Sequence, residues 1–376
     1  MVSFGDIPSG LAAESGCPVC SQNLPPQTRL LLCGGCKVVH YCGVEHQRKH
    51  RSEHKAACTS IVKYRVKLEQ EEAALRALPG DVFETGVGRF WGLVETRPYM
   101  KARFHAADAL LDIETTNAVE KSLAHFQDML RLCRSDNMGV RDSIPGLLVR
   151  LGREQECYDF LKWWAVVDDE HHYNGRYNWG DRCLPYLDIR GADAFEAVYA
   201  SARRLSLSQL VILTLVKVRL YLDVEAYDPQ YMDIGAPWPP SRTQLRRPIG
   251  EIVQKKVRTI TASDVPNISK SLKDQYQALF RMVHEKNPHF WKAWVDAMED
   301  NPSLSPSYTV GSVEEAVLSV HQCARAWEES YNTITIFETE TGNLTEVYQG
   351  PAPRDVRLFD IESEVRSQVE RLWVDV

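Results

Sequence analysis

Six of the chain's ten cysteines fall within residues 17–58, interspersed with histidines, and their spacing constrains the fold more than any other feature. Cys17 and Cys20 form one CxxC pair, Cys33 and Cys36 a second, and Cys42, His46, His54 and Cys58 follow. A CxxC turn brings two thiolates within reach of one metal ion. Each pair therefore supplies half of a tetrahedral zinc site and requires two further soft or borderline ligands. Downstream, the i, i+4 spacing occurs twice, in Cys42 with His46 and in His54 with Cys58, which sets both members of a pair on one helical face. Two assignments fit. The sequential one places both CxxC pairs on one zinc and the four later ligands on another. The interleaved one gives Cys17, Cys20, Cys42 and His46 to one ion and Cys33, Cys36, His54 and Cys58 to the other. Interleaving ties the start of the segment to its middle, so two small loops brace each other without a large apolar core, and it is the arrangement expected.

The segments CPVC and CGGCKVVHYCGVEHQRKHRSEHKAAC resemble the MYND zinc finger, whose ligand order is CxxC, CxxC, YCxxxC, a Gln and then HKxxC. The resemblance implies two zinc ions bound in interleaved fashion by the two quartets just named. His46 stands where that family usually has cysteine, an exchange zinc accepts. Gln47 is retained as a partner-binding position. Arg51 occupies the place of the family's usual Trp, beside which short proline-containing peptides are held as an added strand, so Arg51 bears on that mode; His50 or Tyr41 would take over the role. His40 and His50 are expected to pack or face solvent rather than bind metal.

The other cysteines, Cys133, Cys157, Cys183 and Cys323, stand singly and read as core residues. Nothing at the N-terminus combines a basic start with an apolar run, so the thiols are expected to stay reduced in an intracellular, cytoplasmic or nuclear protein. The most apolar stretch, Leu205 to Val224, contains Lys217 and Arg219 and reads as a buried helix, with no membrane association.

A net charge of -7 argues against a chain-wide nucleic-acid surface. Locally, the finger carries six Lys or Arg against Glu45 and Glu53, and six thiolates with two divalent ions reduce that excess to a net +2. Arg48, Lys49 and Arg51 form its one basic cluster, which reads as a solvated helix face.

The fold expected is mainly α, with a small N-terminal cross-braced zinc finger, an α-helical hairpin or repeat-like domain, and one minor β-hairpin. Residues 1–16 read as a flexible N-terminus, 17–58 as the finger, and 59–96 as a helix (Ile61 to Leu78) and linker. Residues 97–228 read as a helical-hairpin domain, 229–250 as a Pro-rich loop, and 251–376 as a mainly helical C-terminal region. Helices are predicted over 97–113 and 117–133, then two more around Gly152, with Asp136 or Asn137 as a cap. These hairpins look like degenerate tetratricopeptide-type repeats. Ala192 to Leu205 and Leu207 to Val224 are predicted as a further helix pair and Ser269 to Glu285 as another helix. YNTITIFETETGNLTEVY is predicted as the β-hairpin, and a last helix is expected from about Asp360. Asn287, Pro288, His289, Phe290, Trp291 and Trp294 with Gly311, Ser312 and Glu314 resemble the C-terminal part of fungal MYND-finger proteins with a helical body.

A SET-type lysine methyltransferase would need a β-rich body, an Asn-His-Cys run and a late cysteine cluster, all missing from this sequence. His171 and His172 beside Asp168, Asp169 and Glu170 read as a solvated helix end. A RING-type ligase would need a Cys-x-His pair between Cys33 and Cys42. The expectation is a non-enzymatic adaptor with a protein or peptide partner; a nucleic-acid-associated transcriptional regulator is the second reading.

Overall fold

The computed structural model describes residues 16–20, 29–167, 177–198, 200–226, 249–256, 263–299, 307–330 and 332–344, with the single positions 259, 261, 304 and 305. These divide into two compact units: one lies within Leu11–Leu147 and Asn178–Tyr186, the other within Leu148–Tyr177 and Leu187–Val376. Most of the Pro-rich stretch, His171 and His172, and the helix expected from Asp360 lie outside the described residues.

In the first unit, strands β1 (Leu31–Leu32) and β2 (His40–Tyr41) form an antiparallel pair, with Leu31 opposite Tyr41 and Leu32 opposite His40. Helices α1 (Val44–Lys49), α2 (Arg51–Arg76), α3 (Val82–Thr85), α4 (Arg97–Leu110) and α5 (Thr116–Leu132) follow. The helix expected from Ile61 starts ten residues earlier, at Arg51, because no Gly or Pro interrupts the sequence there. Its buried residues, His54, Ile61, Tyr64, Leu68 and Leu75, recur three, four or seven apart and form one stripe. That stripe packs on α4, where Tyr64 stacks on His105 at 5.4 Å. Helices α4 and α5 form the expected hairpin, joined through Phe104 and Phe126 at 5.8 Å and capped by Thr115, whose hydroxyl accepts from the Ala118 N–H. Gly139, not Asp136 or Asn137, holds the cap position of the 3-10 turn Val140–Asp142, and Asp136 accepts from the N–H groups of Val140 and Arg141 from three residues before that glycine. Cys183 departs from the core assignment. It is exposed, in a turn where its N–H is donated to the Asp181 carboxylate.

Helix α6 (Ile144–Arg150) ends at Gly152, which has φ +69°. The second unit contains α7 (Glu154–Val166), α8 (Leu207–Ala226), α9 (Glu251–Lys256), α10 (Val265–Lys286), α11 (Phe290–Glu299), α12 (Val313–Glu328) and α13 (Thr333–Leu344). Helix α8 is the central element, buried almost all round as its apolar sequence requires, and it packs on α7, α10 and α12. Its two cations are both bonded in place. Lys217 donates to the carbonyl oxygens of Ala194 and Glu196, while Arg219 reaches Glu154 at 2.7 Å and the Ser330 hydroxyl at 2.6 Å. Phe280, Trp291, Trp294, Trp327 and Phe337 build an aromatic cluster. Asn287 closes it at one end, donating to the Ser312 carbonyl and the Glu315 carboxylate beside the Ser312 cap of α12. None of the helices among the described residues is long and apolar enough to cross a membrane.

Two further sequence expectations are corrected here. The β-hairpin expected in YNTITIFETETGNLTEVY is instead helix α13 over Thr333–Leu344. Its buried positions, Thr333, Phe337, Glu340 and Thr341, follow a helical period rather than an alternating one. The threonines that suggested a strand bond their hydroxyls back onto the carbonyl four residues earlier, Thr339 to Thr335 and Thr341 to Phe337, which accommodates β-branched residues in a helix. The two-stranded sheet lies in the finger instead. The helix expected over Ala192 to Leu205 is an irregular segment ending in a 3-10 turn at Ala200–Arg204. Lys217 and Asp159 take up its backbone carbonyls and N–H groups from outside, at Ala194, Glu196, Gly191 and Ala192.

Candidate metal centre

The eight residues picked out by spacing converge as two separate quartets. Cys17, Cys20, Cys42 and His46 form one and Cys33, Cys36, His54 and Cys58 the other, with all ligand atoms of a quartet within 4.8 Å of one another. The interleaved assignment is the one the fold builds. In the first quartet, Cys17 Sγ lies 3.5 Å from His46 Nδ1, Cys20 Sγ 3.6 Å from Cys42 Sγ, and Cys42 Sγ 3.0 Å from His46 Nδ1. In the second, Cys33 Sγ lies 3.8 Å from Cys58 Sγ and Cys36 Sγ 3.5 Å from His54 Nε2.

These separations test the fit to zinc. Zinc–sulfur bonds of about 2.3 Å and zinc–nitrogen bonds of about 2.0–2.1 Å in a tetrahedron give edges of about 3.8 Å between sulfurs and about 3.6 Å between sulfur and nitrogen. Four of the five distances match those edges within about 0.2 Å, and only the Cys42–His46 edge is shorter. Two Cys3His clusters of this size and donor set hold two Zn2+. Crowding so many sulfurs is costly without a cation: burial, reinforced by the neighbouring Cys33 and Cys58 charges, pushes the Cys36 thiol up to about 12. A divalent ion removes that penalty by fixing the thiolate form.

Local structure explains the ligand positions. Cys33 and Cys36 flank a tight turn closed by the Cys33 N–H to the Val39 carbonyl at 2.8 Å and the Lys37 N–H to the Cys33 carbonyl at 3.1 Å. Lys37 adopts φ 59° at that turn. Gly35 is required for space, since a Cβ there would lie 2.6 Å from Cys58 Sγ. His54 and Cys58 lie one turn apart on α2, as their spacing predicts. Cys42 instead precedes α1, so only His46 of its pair is helical.

Gln47 Nε2 donates to Cys33 Sγ at 3.7 Å, so the retained glutamine supports the second zinc site by bonding a ligand sulfur. His50 stacks on the ligand His54 at 5.5 Å and meets the Tyr41 hydroxyl at 3.0 Å, which makes it a packing residue, as expected. Arg51 is exposed. Sequence reasoning missed the groups that seat the Cys33–Val39 turn on the helices. Arg65 donates to the Gly35 carbonyl at 2.9 Å, Thr115 to the Val38 carbonyl at 3.0 Å, and Lys121 to the Lys37 carbonyl at 2.7 Å. Val38 and Val39 are buried in the same turn. No ligand spacing points to residues 30 to 84 positions away; only the two adjacent valines within a finger this polar gave a sign of it.

Residues 17–58 match the family model of the MYND finger, and the match ends where the metal ligands end. Neither the curated proteins nor the solved structures contain a match to the chain.

Proposed function

We propose that this chain is a zinc-dependent protein–protein interaction adaptor, whose finger docks a segment of a partner while the helical body serves as the scaffold that carries it. Fingers of this type typically mediate protein interactions. The observation that carries the reading is the apolar surface the finger leaves open: Leu31 is 48% exposed, Leu32 49% and Val44 56%. Aliphatic side chains left this open add nothing to the finger's core, and their exposure on a small, otherwise polar module supports a contact role. In the same reading the body, taken as tetratricopeptide-like hairpins, carries a second partner. In this reading the chain has no catalytic role, and it acts inside the cell, in the cytoplasm or nucleus.

The test is selection of peptides from a displayed library with the full, zinc-loaded chain. Peptides that bind the unaltered chain are expected to lose binding to Leu31→Asp/Leu32→Asp while that variant keeps both zinc ions. Selected peptides that bind the double variant equally well would overturn the reading. The exposed Arg48, Lys49 and Arg51 favour a second reading, a nucleic-acid-associated transcriptional regulator. Binding of duplex DNA that falls steeply between low and physiological salt, with no peptide selected, would favour it.

A further inference from the structure

Helix α1 and the start of α2 carry four cations, Arg48, Lys49, Arg51 and Lys55, all exposed. Among the described residues none of them forms an ion pair. Glu53, the acid nearest Arg51, turns to His50 at 3.7 Å, and Arg65 pairs with Glu69 farther along α2. Arg51 is the first residue of α2, where a cation opposes the positive end of the helix dipole. Neither pairing nor helix stability accounts for its charge.

One of these cations shares a helix face with an open aliphatic side chain. Val44 and Arg48 are one turn apart on α1 and both are exposed. Leu31 lies opposite Tyr41 in the two-stranded sheet, and the Tyr41 hydroxyl reaches His50, the residue immediately before Arg51. The Tyr41–His50 contact thus ties the strand that pairs with Leu31 to the start of α2.

We propose that the finger selects an acidic, aliphatic peptide segment, with its leucine-like side chains on Val44 and on one face of the Leu31–Leu32 strand and its carboxylates on Arg48, Lys49 and Arg51. Apolar contact supplies area, and the cations choose among apolar peptides by charge, since a neutral segment leaves them unpaired and a basic one is repelled. Arg51 is the specificity-determining residue among these cations. The proposal rests on the docking role given above and adds the chemistry of what is docked.

The probe is a synthetic peptide alternating leucine with glutamate, measured by calorimetry against the full zinc-loaded chain. Its comparators replace glutamate by glutamine, glutamate by lysine, or leucine by proline. The acidic peptide is expected to bind about tenfold more tightly than the glutamine peptide, with the advantage shrinking as salt is raised, and the lysine peptide is expected not to bind. Arg51→Glu with Arg48→Glu is expected to erase the preference; both positions are exposed and coordinate nothing, so zinc content serves as the check on folding. Equal binding of acidic and glutamine peptides, or an unchanged preference in the charge-reversed variant, would overturn the assignment of chemistry while leaving the docking role intact. Binding of no peptide, with the Leu31→Asp/Leu32→Asp variant indistinguishable from the unaltered chain, would remove both. Tight binding of duplex DNA in place of every peptide would show that the cations read phosphates and would likewise overturn the proposal.

Discussion

At the scale of single residues, space and charge around a few side chains set the consequences of substitution. Gly35 faces Cys58 so closely that an added methyl group displaces a zinc ligand. Gly35→Ala is expected to weaken the second zinc site by about tenfold or more while sparing the first, which competition with a chromophoric chelator resolves as two separate release steps. In the second unit, a Cβ on Gly250 would collide with the Glu154 carboxylate. That carboxylate is the partner of buried Arg219, so Gly250→Ala is expected to cost about 3 kcal/mol in urea unfolding by loosening a pair the interior cannot leave unpaired.

His125 on α5 supplies a pH dependence. Burial, with the Arg103 charge next in importance, pushes its imidazole down to about 4. A depressed histidine leaves stability unaffected above its unfolded value near 6.5, because both states are then neutral. As pH falls from about 6.5 to about 4 the unfolded chain takes up the proton first, so about 3 kcal/mol is lost over that window. Comparison with His125→Gln at pH 7 and pH 4.5 isolates this contribution, since acid release of zinc is common to both chains. The same fall in both would remove His125 as the cause. The ligands were legible in the sequence at this scale because coordination chemistry fixes their spacing. Arg65, Thr115 and Lys121, which seat the finger's turn, were not, because a side chain that bonds a distant backbone carbonyl leaves no local pattern.

At the scale of elements, α2 belongs both to the finger and to the helices that follow it. His54 and Cys58 sit on its first turns, and Tyr64, Leu68 and Leu75 pack farther along the same helix. Cys58→Ala is expected to raise amide exchange in residues 33–60 by several orders of magnitude while the end of α2 stays protected by α4, because the metal fixes the first turns and apolar packing the last. Uniform exchange along the whole helix would contradict that division. The amphipathic helices α4, α5 and α10 and the wholly apolar α8 were legible because one face, or every face, shows in the residue period. Helix α13 was misread because its threonines satisfy a strand propensity and a helix equally, and tertiary packing of Phe337 against Trp294 and Trp327 decided between them. The segment from Ala192 was misread because Lys217, more than twenty residues away, holds it out of a helix.

At the scale of the molecule, two different kinds of cohesion serve the two units. The second unit is held by a continuous apolar core in which α8 is buried almost all round and five large aromatic rings from α10, α11, α12 and α13 pack together. The finger has no such core. Its stability comes from six sulfurs and two imidazoles gathered across forty-two positions of sequence, and removal of the metal is expected to unfold residues 17–58 and leave the tryptophan fluorescence of the chain unchanged. The finger contains no tryptophan, so the signal reports on the body alone.

The most direct test of the interleaved quartets is cadmium-113 NMR of the full chain after exchange of zinc for cadmium. Average composition does not discriminate, since sequential and interleaved binding both give three sulfurs to one nitrogen overall. Two resonances of three-sulfur, one-nitrogen character, one coupled to His46 and the other to His54, are the result expected. One resonance from a four-sulfur site beside one from a two-sulfur, two-nitrogen site, or a single bound ion, would contradict the account.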